Sequence, residues 1–160
     1  IQDFALSFEK AEEGIMKEKP RNPKEPLFDK SLFDGIMLSG LTIGLVVFIL
    51  WYCLIKNGVV EEVARGYIMA LMVFMQNMHV LNCRSERKSA FKIPLKNNPL
   101  VAFSIISAIV LQIIIMEVPV FSHFLQAETV PIVDMIKLFL LSTIVLGVME
   151  LYKYFKYKDN

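Results

Sequence analysis

The chain has 160 residues, is 55% hydrophobic and carries a net charge of +1 from 17 basic and 16 acidic residues. A mean hydropathy of +0.51 is high for a water-soluble domain. The charges are interleaved with Glu, Asp, Asn and Ser, a pattern that offers no footprint for nucleic acid. Four long apolar stretches, roughly 33–54, 63–81, 99–116 and 135–151, are separated by charged segments. Each is near the ~20 residues that a helix needs to cross a hydrocarbon core. The expected fold is therefore all-α: a polytopic membrane protein with a bundle of four transmembrane helices.

In chain order, residues 1–31 read as the end of a preceding transmembrane helix followed by a cytoplasmic loop, and residues 32–160 as the four-helix domain. The chain begins at Ile1, without Met or a signal-peptide pattern, inside an apolar, helix-compatible segment (IQDFALSF), and is expected to be cut from a longer protein. Residues 10–30 hold three prolines and many charges, which no continuous helix tolerates. Asp29 or Ser31 is positioned to cap the first span. That span carries Gly40 and Gly44 as a GxxxG pair, which permits close helix approach. Trp51 and Tyr52 fall at its outer interface, where aromatic anchors belong.

The second span differs from the others. Met69, Met72, Met75 and Met78 recur at a spacing of three, and Gln76, Asn77, His79 and Asn82 occupy its second half. Polar groups inside a bilayer are costly and face other helices or a water-filled path. Gln76 and His79, one turn apart, are the two candidate cation-path positions; a helix-to-helix packing role is the alternative reading. The methionines read as adaptable packing rather than soft-metal ligands, since no Cys is expected to join them. Cys53 and Cys83 are expected at opposite membrane faces, too far apart for a disulfide. Neither lies in a CxxC or Cys/His cluster, so no zinc site is expected.

The third span is almost uniformly apolar and is expected at the lipid boundary; the loop 117–134, with Pro119 and Pro131, is expected to be partly helical. Fourteen of the 17 basic residues lie before the first span, between the second and third, and after the fourth. An even number of spans puts these segments on one side, and positive charge marks that side as cytoplasmic, with both termini there. No Gly-rich phosphate loop, dinucleotide turn, HExxH or GxSxG occurs. No catalytic residue and no cofactor site are expected in this chain.

The segment Lys19–Leu27 (KPRNPKEPL), preceded by Gly14–Met16 (GIM), resembles the loop after the sixth transmembrane helix of P-type calcium pumps. Ala64-Arg65 opens a stretch resembling the family's eighth helix, and Leu81-Asn82 with Ser85-Glu86 resembles the start of the next loop. The run Cys83–Ser89 (CRSERKS) is also similar to the corresponding loop of sodium/potassium pumps. The resemblance covers essentially the whole chain. It implies that the four spans are helices seven to ten of a pump, and that Ile1–Phe8 is the tail of helix six. By the same resemblance, Gln76 stands where sarcoplasmic calcium pumps place a helix-eight Glu ligand, and His79 where related pumps have Asn or Asp.

A neutral Gln and a nitrogen donor suit a hard dication less well than carboxylates, so a single-site pump fits better than a two-calcium one. A monovalent or proton-coupled variant is a further option, with His79 as a titrating group. The resemblance implies a parent enzyme that uses Mg-ATP to move a cation, calcium first among the options, with its phosphorylated Asp upstream of Ile1. Arg21, Lys24 and Asp29 are the candidates for contact with the phosphorylation domain. The implied partners are the lipid bilayer and the remaining helices and cytoplasmic domains of the pump. The implied location is a bacterial plasma membrane. The competing readings are a stand-alone, non-catalytic four-helix scaffold, and an excised fragment that oligomerises through its polar helix.

Overall fold

The protein, seen in a computed structural model, is described over residues 2–11 and 30–157, apart from the side chain of Ser31. The KPRNPKEPL segment, Arg21, Lys24 and Asp29 lie outside the described residues, as does any cap that Asp29 or the Ser31 side chain supplies. Among the described residues there are six α-helices: α1 Gln2–Leu6, α2 Lys30–Lys56, α3 Glu61–Cys83, α4 Pro99–Glu117, α5 Pro119–Leu125 and α6 Ile132–Tyr157. Two single 3-10 turns, Ala90–Lys92 and Leu95–Asn97, bridge α3 and α4. The expected all-α membrane architecture is what the chain adopts.

Local chemistry sets the helix boundaries. Gly58, at φ +76°, turns the chain between α2 and α3 in a conformation that suits glycine. Glu61 and Glu62 occupy the first turn of α3, where negative charge complements the helix dipole. Pro99 and Pro119 open α4 and α5, where a missing N–H costs nothing. Gln126 closes α5 in the left-handed region, its N–H bonding to the His123 carbonyl. Hydroxyls inside the spans bond to carbonyls of their own helix, as Thr42 does to Leu38 at 2.7 Å and Ser104 to Val101 at 2.8 Å. Such internal satisfaction is what a hydrocarbon environment demands.

Helices α2, α4 and α6 are long and apolar enough to cross a membrane; α3, at 23 residues, is long enough but is not among the sufficiently apolar helices. The fold explains how α3 is tolerated. It packs most extensively on α6 and also against α2, α4 and α1. One core cluster joins Leu71, Phe74, Met75 and Met78 of α3 to Leu138, Val145 and Leu146 of α6, with Val46 and Val47 of α2 against it. A second joins Val80 of α3 to Ala5 of α1 and Val101 of α4. Met75 and Met78 are core residues while Met72 is exposed, so the methionines wind around the helix. Phe103, Ile106 and Val110 of α4, by contrast, are exposed toward the lipid side.

Contacts between helix ends give the alternating order. Lys156 near the end of α6 meets Asp34 near the start of α2 at 3.8 Å, and Lys153 meets the Asn82 carbonyl at the end of α3 at 2.8 Å. At the opposite end Tyr67 of α3 donates to Asp134 of α6 at 2.6 Å. The end of α1, the start of α2 and the ends of α3 and α6 thus share one face. Cys53 and Cys83 are both free, toward opposite ends of the bundle.

Candidate functional site

Three polar regions meet on α3. The first lies midway along it. Gln76 lines a cavity of about 170 Å³ with Gln2, Met72, Val73, Asn77 and Ala108, between α1, α3 and α4. Gln2 donates through Nε2 to the Asn77 carboxamide oxygen. Asn77 is 2% exposed, and its Nδ2 has no protein partner. Gln112 of α4 is likewise buried with its Nε2 unpartnered. Buried amides are ordinarily paired, because an unmade bond costs about 1–3 kcal/mol. Gln2, the exposed Gln76 and Asn77 thus bring three carboxamides to one cavity, their oxygens able to accept and their N–H groups to donate.

His79 is not part of this group. The three-residue step swings its ring about 60° around α3, into a cavity of about 200 Å³ between α2, α3 and α6. Gln76 and His79 thus open into different cavities, although they are one turn apart. His79 Nε2 lies 3.5 Å from Cys83 Sγ. The four-residue step from His79 to Cys83 stacks them on one face, a contact of two side chains. Among the described residues no group of three or more His, Cys, Asp or Glu side chains is arranged to hold a metal ion.

The third region closes the bundle end. Arg84, just past α3, forms a fork with Glu9 at 2.7 and 3.0 Å. It also donates to the carbonyls of Ile93 and Pro94 at 2.8 and 3.1 Å. Asn98 donates to the Ala5 carbonyl at 2.8 Å and to Glu9 at 3.1 Å. The Arg84 hydrogen bonds hold the Glu9 carboxyl below the ordinary glutamate range, against partial burial, and Asn98 adds to the effect. Lys153 of α6, only 5% exposed, donates to the carbonyls of Asn82 and Lys88 at 2.8 and 3.3 Å. Glu150 accepts from the Ala90 N–H at 2.8 Å. Together these bonds tie the 84–98 loop to both α1 and α6. Sequence reading missed this clamp: Glu9 and Arg84 are 75 positions apart, and no local pattern links them.

A family model described as "Cation transporting ATPase, C-terminus" matches residues 1–155. The chain belongs to the C-terminal family of cation-transporting ATPases. Among the relatives of this ATPase domain, a calcium-transporting ATPase of Bacillus subtilis is 31% identical over 118 residues, covering 72% of this chain and 13% of its own length. Calcium-transporting ATPase 1 of Bacillus cereus is 28% identical over 167 residues, covering 94% of this chain and 19% of its own length. Calcium-transporting ATPase 1 of Schizosaccharomyces pombe is 24% identical, covering 95% of this chain and 17% of its own length. The ATPase domain thus spans less than a fifth of these relatives. It matches the C-terminal part of these calcium-transporting ATPases, and the stand-alone scaffold reading is not favoured.

Proposed function

We propose that this chain is the C-terminal membrane bundle of an ATP-driven calcium pump, and that α3 lends its amide-bearing face to the ion path. The observation that carries the reading is the gathering of the Gln2, Gln76 and Asn77 carboxamides at one cavity between α1, α3 and α4. Carboxamide oxygens suit a hard dication, but as neutral groups they complete a site rather than form one. The carboxylates would come from helices upstream of Ile1, as would the residues that bind Mg-ATP and accept phosphate. His79, which opens into a different cavity from the amides, has a packing role in this reading. The relatives' names, all calcium-transporting ATPases, favour calcium as cargo. Short connections and free cysteines suit a bacterial plasma membrane, although the relatives come from both bacteria and eukaryotes.

The test is calcium-stimulated ATP hydrolysis by the full-length protein in membranes. Gln76→Ala and Asn77→Ala are expected to raise the half-saturating calcium concentration about tenfold each, the effect of losing roughly 1.4 kcal/mol of coordination, while His79→Ala leaves it within a factor of two or so. Unchanged calcium dependence in both amide variants sinks the ion-path assignment. Failure of calcium to stimulate hydrolysis at all, while another cation does, replaces the cargo.

A further inference from the structure

We propose that His79 and Cys83 form the protein half of a binding site for a borderline-soft dication such as zinc, at the end of α3 and apart from the ion path. Tetrahedral zinc with a sulfur at about 2.3 Å and a nitrogen at about 2.0 Å spans an S···N edge of about 3.5 Å. The observed distance between Cys83 Sγ and His79 Nε2 is 3.5 Å, so both side chains already stand as two corners of such a site. Metal-free, the same geometry is a thiol–imidazole contact; binding replaces the thiol proton by the metal and releases the proton to solvent.

The second, independent observation is Asn82. It lines the same cavity, is 2% exposed, and neither its Nδ2 nor its Oδ1 has a partner. An amide left unmade at both ends faces a space of about 200 Å³, room for an ion and the waters that complete its shell. His79, Asn82 and Cys83 follow the three- and four-residue steps of one helix face, and Glu86 continues that line into the cavity wall beyond the helix end. Lys153, also in the wall, directs its ammonium at the Asn82 and Lys88 carbonyls and provides no ligand. Two protein donors beside a cation make a modest, reversible site.

Cys83 is exposed, which permits a direct readout. In the full-length protein, the alkylation rates of Cys83 and Cys53 are followed by peptide mass mapping as zinc chloride is raised. Zinc is expected to slow Cys83 and leave Cys53 unchanged, and equimolar calcium or magnesium is expected to slow neither. His79→Gln is expected to raise the protecting zinc concentration at least about tenfold, no less than the loss of an outer-shell partner costs. Asn82→Ala is expected to raise it less. Cys83 alkylation indifferent to zinc overturns the proposal in the native protein alone, whatever the variants do. Equal protection of Cys53, equal protection by calcium, or unchanged protection in His79→Gln overturns it as well. The outcome is distinguishable from the Gln76 test, since Cys83 alkylation is read without calcium-stimulated hydrolysis and neither Gln76 nor Asn77 enters it.

Discussion

Gly66 sits where the loop after α5 crosses the start of α3. A Cβ there would stand 2.1 Å from the Glu128 carbonyl oxygen, and the loop is held down by the Glu128 N–H bonding to the Glu62 carbonyl at 3.1 Å. Gly66→Ala must therefore lift backbone, and a loss of about 1–3 kcal/mol is expected. A thermal melt in detergent measures it. Gly40→Ala is the control: nothing lies within 4 Å of its Cβ. An equal loss in both variants would refute the contact. Arg84 presents a sharper case, with its side chain 1% exposed and that of Glu9 13%. Removing one partner of a buried pair costs about 3–5 kcal/mol, so Arg84→Ala should lower the melting temperature markedly. Arg84→Lys should recover little, since an ammonium lacks the fork that reaches Glu9, Ile93 and Pro94 together.

The same pair has a pH signature. Glu9 is shifted down from an ordinary value of 4.5, so the folded protein binds this proton less readily than the unfolded chain. The stabilisation it brings is complete above that ordinary value and is lost as pH falls past it through the lowered one. Melting temperature should fall across that acidic window, and Glu9→Gln should flatten the part of the fall due to this residue. A Glu9→Gln profile that drops as steeply as the native one contradicts the assignment.

At the level of elements, α3 is the organising helix, and Lys153 fastens its end. Lys153→Met removes the donor from the Asn82 and Lys88 carbonyls, and each buried acceptor left bare costs about 1–3 kcal/mol. The expected result is faster amide exchange over residues 84–90 with little change in α4; uniform acceleration across the bundle would instead mean global destabilisation. The helices themselves were legible from apolar run length, because a lipid-facing helix must be continuously apolar and Phe103, Ile106 and Val110 are. The polarity of α3 was equally legible, but its consequences were not. Run length says nothing about which helix is enclosed, and enclosure by α2, α4 and α6 is what lets Asn77 and Asn82 sit in the span. The separation of Gln76 from His79 was hidden for a related reason. A 60° difference around a helix is small on a wheel, yet α1 and α4 lie on one side of it and α2 and α6 on the other.

For the molecule as a whole, the exposed side of α2 (Leu41, Leu45, Phe48 and Tyr52) and the open Gly40 and Gly44 backbone are compatible with lipid or with helices of the larger pump. The orientation of the bundle follows from charge. The clamped face holds the end of α1, the 84–98 loop and the end of α6, with Arg84, Arg87, Lys88, Lys92, Lys96, Lys153 and Lys156 among its described residues. The opposite face has Lys56, Arg65 and Lys137, two of them in ion pairs: Arg65 with Glu61 at 3.0 Å and Lys137 with Asp134 at 2.7 Å. The positive-inside rule predicts that the clamped face is cytoplasmic. A membrane-impermeant maleimide distinguishes the two orientations. Introduced as single reporters in full-length protein whose own cysteines are replaced by serine, Asn57→Cys in the α2–α3 turn should label in intact cells. Lys92→Cys in the clamped loop should label only after permeabilisation. Both positions are exposed, so a reversed pattern would mean an inverted bundle. Labelling of both in intact cells would mean that the two faces are not separated by the membrane, and α3 would not then be a span.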